Sequence, residues 1–224
     1  MIVWAVLAAA GSGERLGADR PKAFVRLGER PLLAESLERL EASDWVDAIV
    51  IAAPPGWEEP AILLAEELGC GKVSASVAGG ATRAESVRNG LAEVADDAAV
   101  VLVHDAARPL LDETVMERVL GALNEGWDGA VPAVPVSDTI KRIDGERVVE
   151  TVDRAALRAV QTPQAFLARM LRLAHEGDPD ASDDAGLVEA KGGRVAVVPG
   201  EPANAKITTP VDLAFARHLM AETP

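Results

Sequence analysis

The chain has 224 residues, 49% of them hydrophobic and 26% charged, which excludes a disordered or collagen-like polymer and fits one α/β domain. A net charge of −14 makes nucleic acid and anionic membrane surfaces poor partners, and 3% aromatic content leaves little for stacking single-stranded bases. One cysteine, Cys70, rules out an intrachain disulfide and a cysteine-clustered zinc site, and suits a reducing cytoplasm.

The first segment, MIVWAVLAAA, is apolar and ends in small residues like a secretion signal. It lacks a basic start and runs straight into GSGER, so it reads as a buried first strand. No stretch approaches the apolar length of a membrane span. Helical spacing follows at 32–40, with Leu33, Leu37 and Leu40 on one stripe, then a strand at 47–53 and a helix at 60–68. A strand at 73–77, a helix at 82–94, a strand at 98–103, a helix at 112–123 and a strand at 129–134 continue the alternation. Strands that are continuous Val/Ile/Ala runs separated by helices imply a mostly parallel sheet with helices on both faces. The pattern breaks at 139–143 and 147–152, which alternate around Asp144-Gly145 and predict a β-hairpin. This inserted arm, 137–154, cannot bury its apolar side alone and is expected to pack on a second subunit, within a single 1–224 domain. Helices return at 165–175, 182–190 and 210–220, with a strand at 194–198.

Candidate chemistry gathers at the ends of these strands. Ala8-Ala9-Ala10-Gly11-Ser12-Gly13-Glu14-Arg15 follows the first strand, where ligands bind in open α/β sheets. Small residues there let the backbone approach phosphate oxygens. Leu16 stands where a dinucleotide fingerprint needs glycine, and no Gly-Lys-Ser/Thr is present, so the loop is neither a dinucleotide nor a Walker loop. A plain tight turn would explain the glycines, but not Arg15 and Lys22 beside them in so acidic a chain. The combination predicts a polyphosphate site. Asp105, in HDAARP, could hold a ribose hydroxyl, a metal-bound water or merely a turn, and Arg108 adds a cation at the same rim. His104 reads as structural. In GGATRAES, Thr82 and Glu85 form a capping box, which leaves Gly80 and Ser86 unexplained. Asp183-Asp184 reads either as a metal pair or as an acidic helix start.

Together AAAGSGERLG, PKAF, GGATRAES, HDAARP, SDTIKR, TVDRAAL, QTPQAF, SDDA and NAKITTP resemble the ordered motifs of the 2-C-methyl-D-erythritol 4-phosphate cytidylyltransferases. The resemblance spans nearly the whole chain and implies a nucleotidyltransferase-like Rossmann variant. It implies cytidylyl transfer from CTP to methylerythritol phosphate, with release of pyrophosphate, in non-mevalonate isoprenoid synthesis. Arg15 and Lys22 would then grip the triphosphate, and Ala9, Ala10, Gly11 and Gly13 would contact the nucleotide. Gly80 and Ser86 would read cytosine, and Asp105 with Ala106 would hold ribose. Arg154, Lys206 and Thr162 would position the attacking phosphate, with Arg108 and Thr139 contributed across a homodimer. Mg²⁺ would ride mainly on the CTP phosphates, so no protein metal site is expected. Ala8, Ser182 and Ala205 depart from the family's usual Pro, Thr and Ile, and Ala81 leaves no acidic side chain near the base. A ribitol 5-phosphate cytidylyltransferase and a non-catalytic nucleotide-binding dimer are the alternative readings.

Overall fold

The computed structural model describes residues 1–179 and 181–222. The chain opens with β1 (Val3–Ala8), passes through the short hairpin of β2 (Arg26–Leu27) and β3 (Arg30–Pro31), and enters α1 (Leu32–Ala42). β4 (Ala48–Ala53), α2 (Glu58–Glu67), β5 (Val73–Ala78), α3 (Arg83–Leu91), β6 (Val100–Asp105), α4 (Glu113–Asn124) and β7 (Gly129–Pro135) follow in alternation. The arm is β8 (Ile140–Asp144) with β9 (Arg147–Val152), after which come β10 (Arg158–Val160) and β11 (Gln164–Leu167). The chain then runs through α5 (Ala168–Ala174), α6 (Asp184–Ala190), β12 (Val195–Pro199) and α7 (Pro210–Glu222).

The eight-stranded sheet runs β10-β7-β11-β6-β1-β4-β5, with β12 on β7. β1 pairs in parallel with both β4 and β6, β4 with β5, and β12 with β7. Side chains alternate between two cores because strand residues point to opposite faces. Val3, Ala5 and Leu7 of β1 join Leu102 of β6 and the stripe Leu33, Leu37 and Leu40 of α1, together with α2 and α4. Val6, Val101 and Val103 face the other way, onto Val87 of α3, Leu171 of α5 and Val188 of α6. Both faces are covered, which is why the strands are apolar throughout. A third, smaller core holds Leu27 and Leu32 against Ile207 and Ala216, and so anchors α7 to the β2–β3 hairpin.

The predicted helix at 165–175 is a correction: it begins only at Ala168, and Gln164–Leu167 is a strand. β11 slots antiparallel between β6 and β7, and Ala165 and Phe166 are buried in it. A short apolar run fits a strand or a helix equally well, and here pairing with two distant strands decides. β10 likewise pairs antiparallel with Ala133 to Pro135 of β7.

The arm forms as expected. β8 and β9 pair with each other in a separate two-stranded sheet, turning at Gly145-Glu146 between the partners Asp144 and Arg147. Ile143 is 64% and Val148 54% exposed, so the hairpin presents apolar side chains that the rest of the chain does not cover.

A cation-lined cleft at the carboxyl edge of the sheet

β1 lies between β4 and β6, so strand order reverses there, and α/β sheets open a crevice beyond the strand ends at such a point. A cleft of about 700 Å³ occupies this position. Among the residues expected in the site, Ala9, Ala10, Gly11, Gly13, Arg15, Lys22, Gly80, Ser86, Asp105, Ala106 and Lys206 line it.

The loop after β1 is folded back on itself. The amide of Lys22 donates to the carbonyl oxygen of Gly11 at 3.2 Å, and Glu14–Leu16 makes a single 3₁₀ turn. Gly13 has φ 77, and a Cβ there would lie 2.9 Å from Cβ of Lys22. Glycine is therefore required twice, for the left-handed backbone and for the close approach that seats Lys22. At Gly79, beside this loop, a Cβ would meet Cβ of Ala10 at 2.3 Å, so the loops after β1 and β5 can touch only through glycine.

α3 starts as its sequence dictates: Thr82 caps it by accepting from the amide of Glu85 at 3.1 Å. Glu85 accepts in return from the amide of Ala81 at 2.7 Å, one residue before the usual capping-box partner. Ser86 Oγ donates to the carbonyl of Thr82 and accepts from the amide of Gly80. With its proton committed, that hydroxyl can offer a ligand only an acceptor lone pair.

Asp105, at the end of β6, is the electrostatic centre. Its Oδ1 accepts from Arg83 Nε at 3.1 Å and its Oδ2 from Lys206 Nζ at 2.7 Å. Burial alone would push this carboxyl up, but Arg83 and Lys206 together outweigh it and hold it well below the ordinary carboxylate range. Lys22 has no such partner and makes no ion pair among the described residues. Burial lowers its ammonium from the usual 10.5 to about 8, with Lys206 and Arg15 adding repulsion and Asp105 opposing it. A partly buried, unpaired cation beside two others is a site prepared for anions.

Arg108 and Thr162 do not line the cleft of their own chain. Arg108 is only 8% exposed. Instead of projecting at the rim, its guanidinium donates to the carbonyl oxygens of Asn204 and Val160. The physical reason is the chain crossing beneath the cleft, where buried carbonyls need a donor. Thr162 is buried too, behind β6. Its Oγ1 accepts from the amide of Asp105 at 3.0 Å and pairs with Nδ1 of His104 at 3.0 Å. Nε2 of His104 faces the carbonyl of Arg108 at 3.1 Å and must carry the proton, so Thr162 donates to Nδ1. Burial lowers His104 to about 4, and both its ring nitrogens are bonded within the chain. Asn204 Nδ2 donates to the carbonyl of Thr162 at 2.8 Å, so three motifs far apart in sequence are laced together under the strand end.

Thr139 and Arg154 belong to the arm and do not line the cleft. Thr139 is exposed just before β8, and Arg154, in a 3₁₀ turn capped by Asp153, donates to the carbonyl of Ser137. Of the two readings of Asp183-Asp184, the helix start holds: Asp183 caps α6 through the amide of Gly186, and Asp184 is buried. Among the described residues no three acidic, histidine or cysteine side chains cluster as metal ligands. Arg83 lines the cleft and holds Asp105, yet it carries no local signal beyond its place in GGATRAES.

A doubly covered, mostly parallel sheet with a glycine loop and converging cations at its switch point is the architecture of a nucleotidyltransferase site. The profile of the 2-C-methyl-D-erythritol 4-phosphate cytidylyltransferase family matches residues 3–222, and the chain belongs to that family. A 2-C-methyl-D-erythritol 4-phosphate cytidylyltransferase of Nocardia farcinica is 48% identical over 219 residues, covering 97% of this chain and 94% of its own. One of the same name from Rhodococcus jostii is 48% identical over 222 residues, 98% and 96% of the two chains. The crystal structure of the Thermus thermophilus enzyme of that name superposes with a TM-score of 0.79 at 38% identity, covering 96% of this chain and 98% of that one.

Proposed function

We infer that the chain transfers a cytidylyl group from CTP to 2-C-methyl-D-erythritol 4-phosphate and releases pyrophosphate, a step of isoprenoid precursor synthesis. The observation that carries this reading, beside family membership, is the convergence of Arg15, Lys22 and Lys206 on one cleft in a chain of net charge −14. Its volume of about 700 Å³ suits a nucleoside triphosphate.

The chemistry is a meeting of anions. An oxygen of the acceptor phosphate attacks the α-phosphorus of CTP, a new P–O bond forms, and pyrophosphate leaves with the electron pair of the bond it shared. A phosphate monoester is largely dianionic at neutral pH, so no side chain has to remove a proton. What the protein supplies is position and positive charge where charge builds up on the phosphates. In this reading Arg15 and Lys22 hold the triphosphate, and Lys206 holds the attacking phosphate. The loop of Ala9, Ala10, Gly11 and Gly13 receives the nucleotide, and Asp105 with Ala106 meets the ribose. Gly80 and Ser86 face the base. The free lone pair of Ser86 can accept from an exocyclic amino group, which cytosine has and uracil lacks.

Asp105 spends its charge on Arg83 and Lys206, and its remaining lone pairs are left for a ribose hydroxyl. Mg²⁺ would enter on the CTP phosphates and neutralise part of their charge. The exposed apolar residues of the arm support a homodimer in which Thr139 and Arg154 of one subunit complete the cleft of the other. Arg108 and Thr162 support the site from below, within their own chain. The strongly acidic balance favours small anionic substrates met locally over nucleic acid, and one cysteine fits work in the cytoplasm.

Pyrophosphate release tests the assignment, with CTP and Mg²⁺ present and one acceptor at a time. Rapid release with 2-C-methyl-D-erythritol 4-phosphate alone is expected. Release only with ribitol 5-phosphate would keep the chemistry and change the acceptor, and silence with both, alongside CTP binding, would leave a binding protein.

A further inference from the structure

Behind the cleft a line of alternating charges runs from Lys206 and Asp105 to two residues, Arg83 and Asp184, to which the proposed reaction gives no role. Lys206 bonds Asp105, Asp105 bonds Arg83, and Arg83 Nη1 donates to Oδ2 of Asp184 at 2.6 Å. Oδ1 of Asp184 lies 3.0 Å from Nε2 of His175. Asp184 is 0% exposed and 101 residues from Arg83 along the chain, so the bond ties α6 to the first turn of α3. Gln164 supports the far end, donating to Asp183 and accepting from the amide of Ala185.

We propose that Asp184 and Arg83 are positioning residues that act through Asp105 to set the place of Lys206 in the cleft. A wholly buried ion pair is a poor way to gain stability, since apolar packing serves as well; its best-attested use is to fix one geometry. The Asp side-chain torsion that turns the carboxylate is broad, so a carboxylate held at one oxygen rotates easily. Asp105 is held at both: Arg83 takes Oδ1, which leaves Oδ2 aimed at Lys206. Arg83 can do this only while its own plane is fixed, and Asp184 fixes it by holding a second nitrogen of the same rigid fork. A lysine at position 83 would keep the charge but lose the rigid fork that fixes both carboxylates.

The inference rests on Lys206 holding the acceptor phosphate, and the test separates the two. Steady-state kinetics of the whole enzyme are measured with CTP and 2-C-methyl-D-erythritol 4-phosphate for Asp184→Asn, Arg83→Lys, Lys206→Ala and each of the first two combined with Lys206→Ala. Asp184→Asn preserves shape; should it fail to fold, Arg83→Lys carries the same test. The expected result is an acceptor KM raised about tenfold in each single variant, with a smaller rise in the CTP KM because Asp105 also meets the ribose. Neither of the first two changes should raise the acceptor KM further once Lys206 is alanine. Loss of folded protein lowers kcat and leaves both KM values unmoved, so a merely structural role fails this test. An acceptor KM raised by Lys206→Ala but unchanged in folded Asp184→Asn and Arg83→Lys would overturn the relay alone. An acceptor KM unchanged in Lys206→Ala would overturn both the role of Lys206 and the relay.

Discussion

Replacing Lys22 by methionine keeps most of the side-chain length and removes its charge. In the free protein that charge is unfavourable, since burial and the neighbouring Lys206 and Arg15 lower its pKa from 10.5 to about 8. Unscreened, such a difference corresponds to about 3 kcal/mol; discounted for the partly open position of the side chain, roughly 1–1.5 kcal/mol remains. For a chain of this size that is a rise of about 2–6 °C in Tm for the variant. The sign with pH follows. The unfolded chain holds the Lys22 proton more tightly than the folded one, so the penalty is full below pH 8 and fades between 8 and 10.5. Calorimetry at pH 7 should therefore find Lys22→Met more stable than wild type, and the gap should close toward pH 10.5. Turnover should fall by roughly 10²–10³ in the same variant, as for loss of a transition-state charge donor. A variant less stable than wild type at pH 7, or turnover within a few fold of normal, would refute the reasoning.

Three further outcomes are expected. Gly13→Ala forces an L-residue into a left-handed conformation at about 1–2 kcal/mol and pushes a methyl against Lys22, so turnover should drop about tenfold or more; near-normal kinetics would contradict the seating of Lys22 by that loop. Thr162→Val leaves the buried amide of Asp105 and the Nδ1 of His104 unpaired, which should cost about 1–3 kcal/mol in urea unfolding while altering turnover far less than Lys22→Met does. Ile143→Asp with Val148→Asp on the arm should shift the protein from dimer to monomer in sedimentation and abolish turnover together, whereas an active monomer would refute the shared cleft.

Much of the fold was legible because its strands are covered on both faces and its helices carry clear stripes. The run at 47–53 could be read as a buried strand, and Leu33, Leu37 and Leu40 as one helix face, without knowing their neighbours. β10 and β11 were not legible, since Arg158–Val160 and Gln164–Leu167 are short and gain their pairing from β7 and β6, far off in sequence. The cleft was legible where residue type itself limits the options. Glycines 11 and 13 beside Arg15 and Lys22 state a demand for close backbone approach and positive charge. Arg83 was hidden, because an arginine in a helix's first turn looks like a surface charge until Asp105 and Asp184 are found on either side of it. Nor does its motif show that Arg108 is mostly buried in its own chain, where it donates to the Asn204 carbonyl.

The central claim is that the cleft joins two phosphates directly, with its lysines acting only through charge. Lys22, lowered to about 8, has the pKa of a lysine able to act as a nucleophile and carry the cytidylyl group itself. The stereochemical course at phosphorus separates the two. Reaction of CTP carrying a single-configuration sulfur on its α-phosphorus with 2-C-methyl-D-erythritol 4-phosphate should give product of inverted configuration, the mark of one in-line displacement. Retention would mean two displacements through a covalent enzyme intermediate, and would contradict the account.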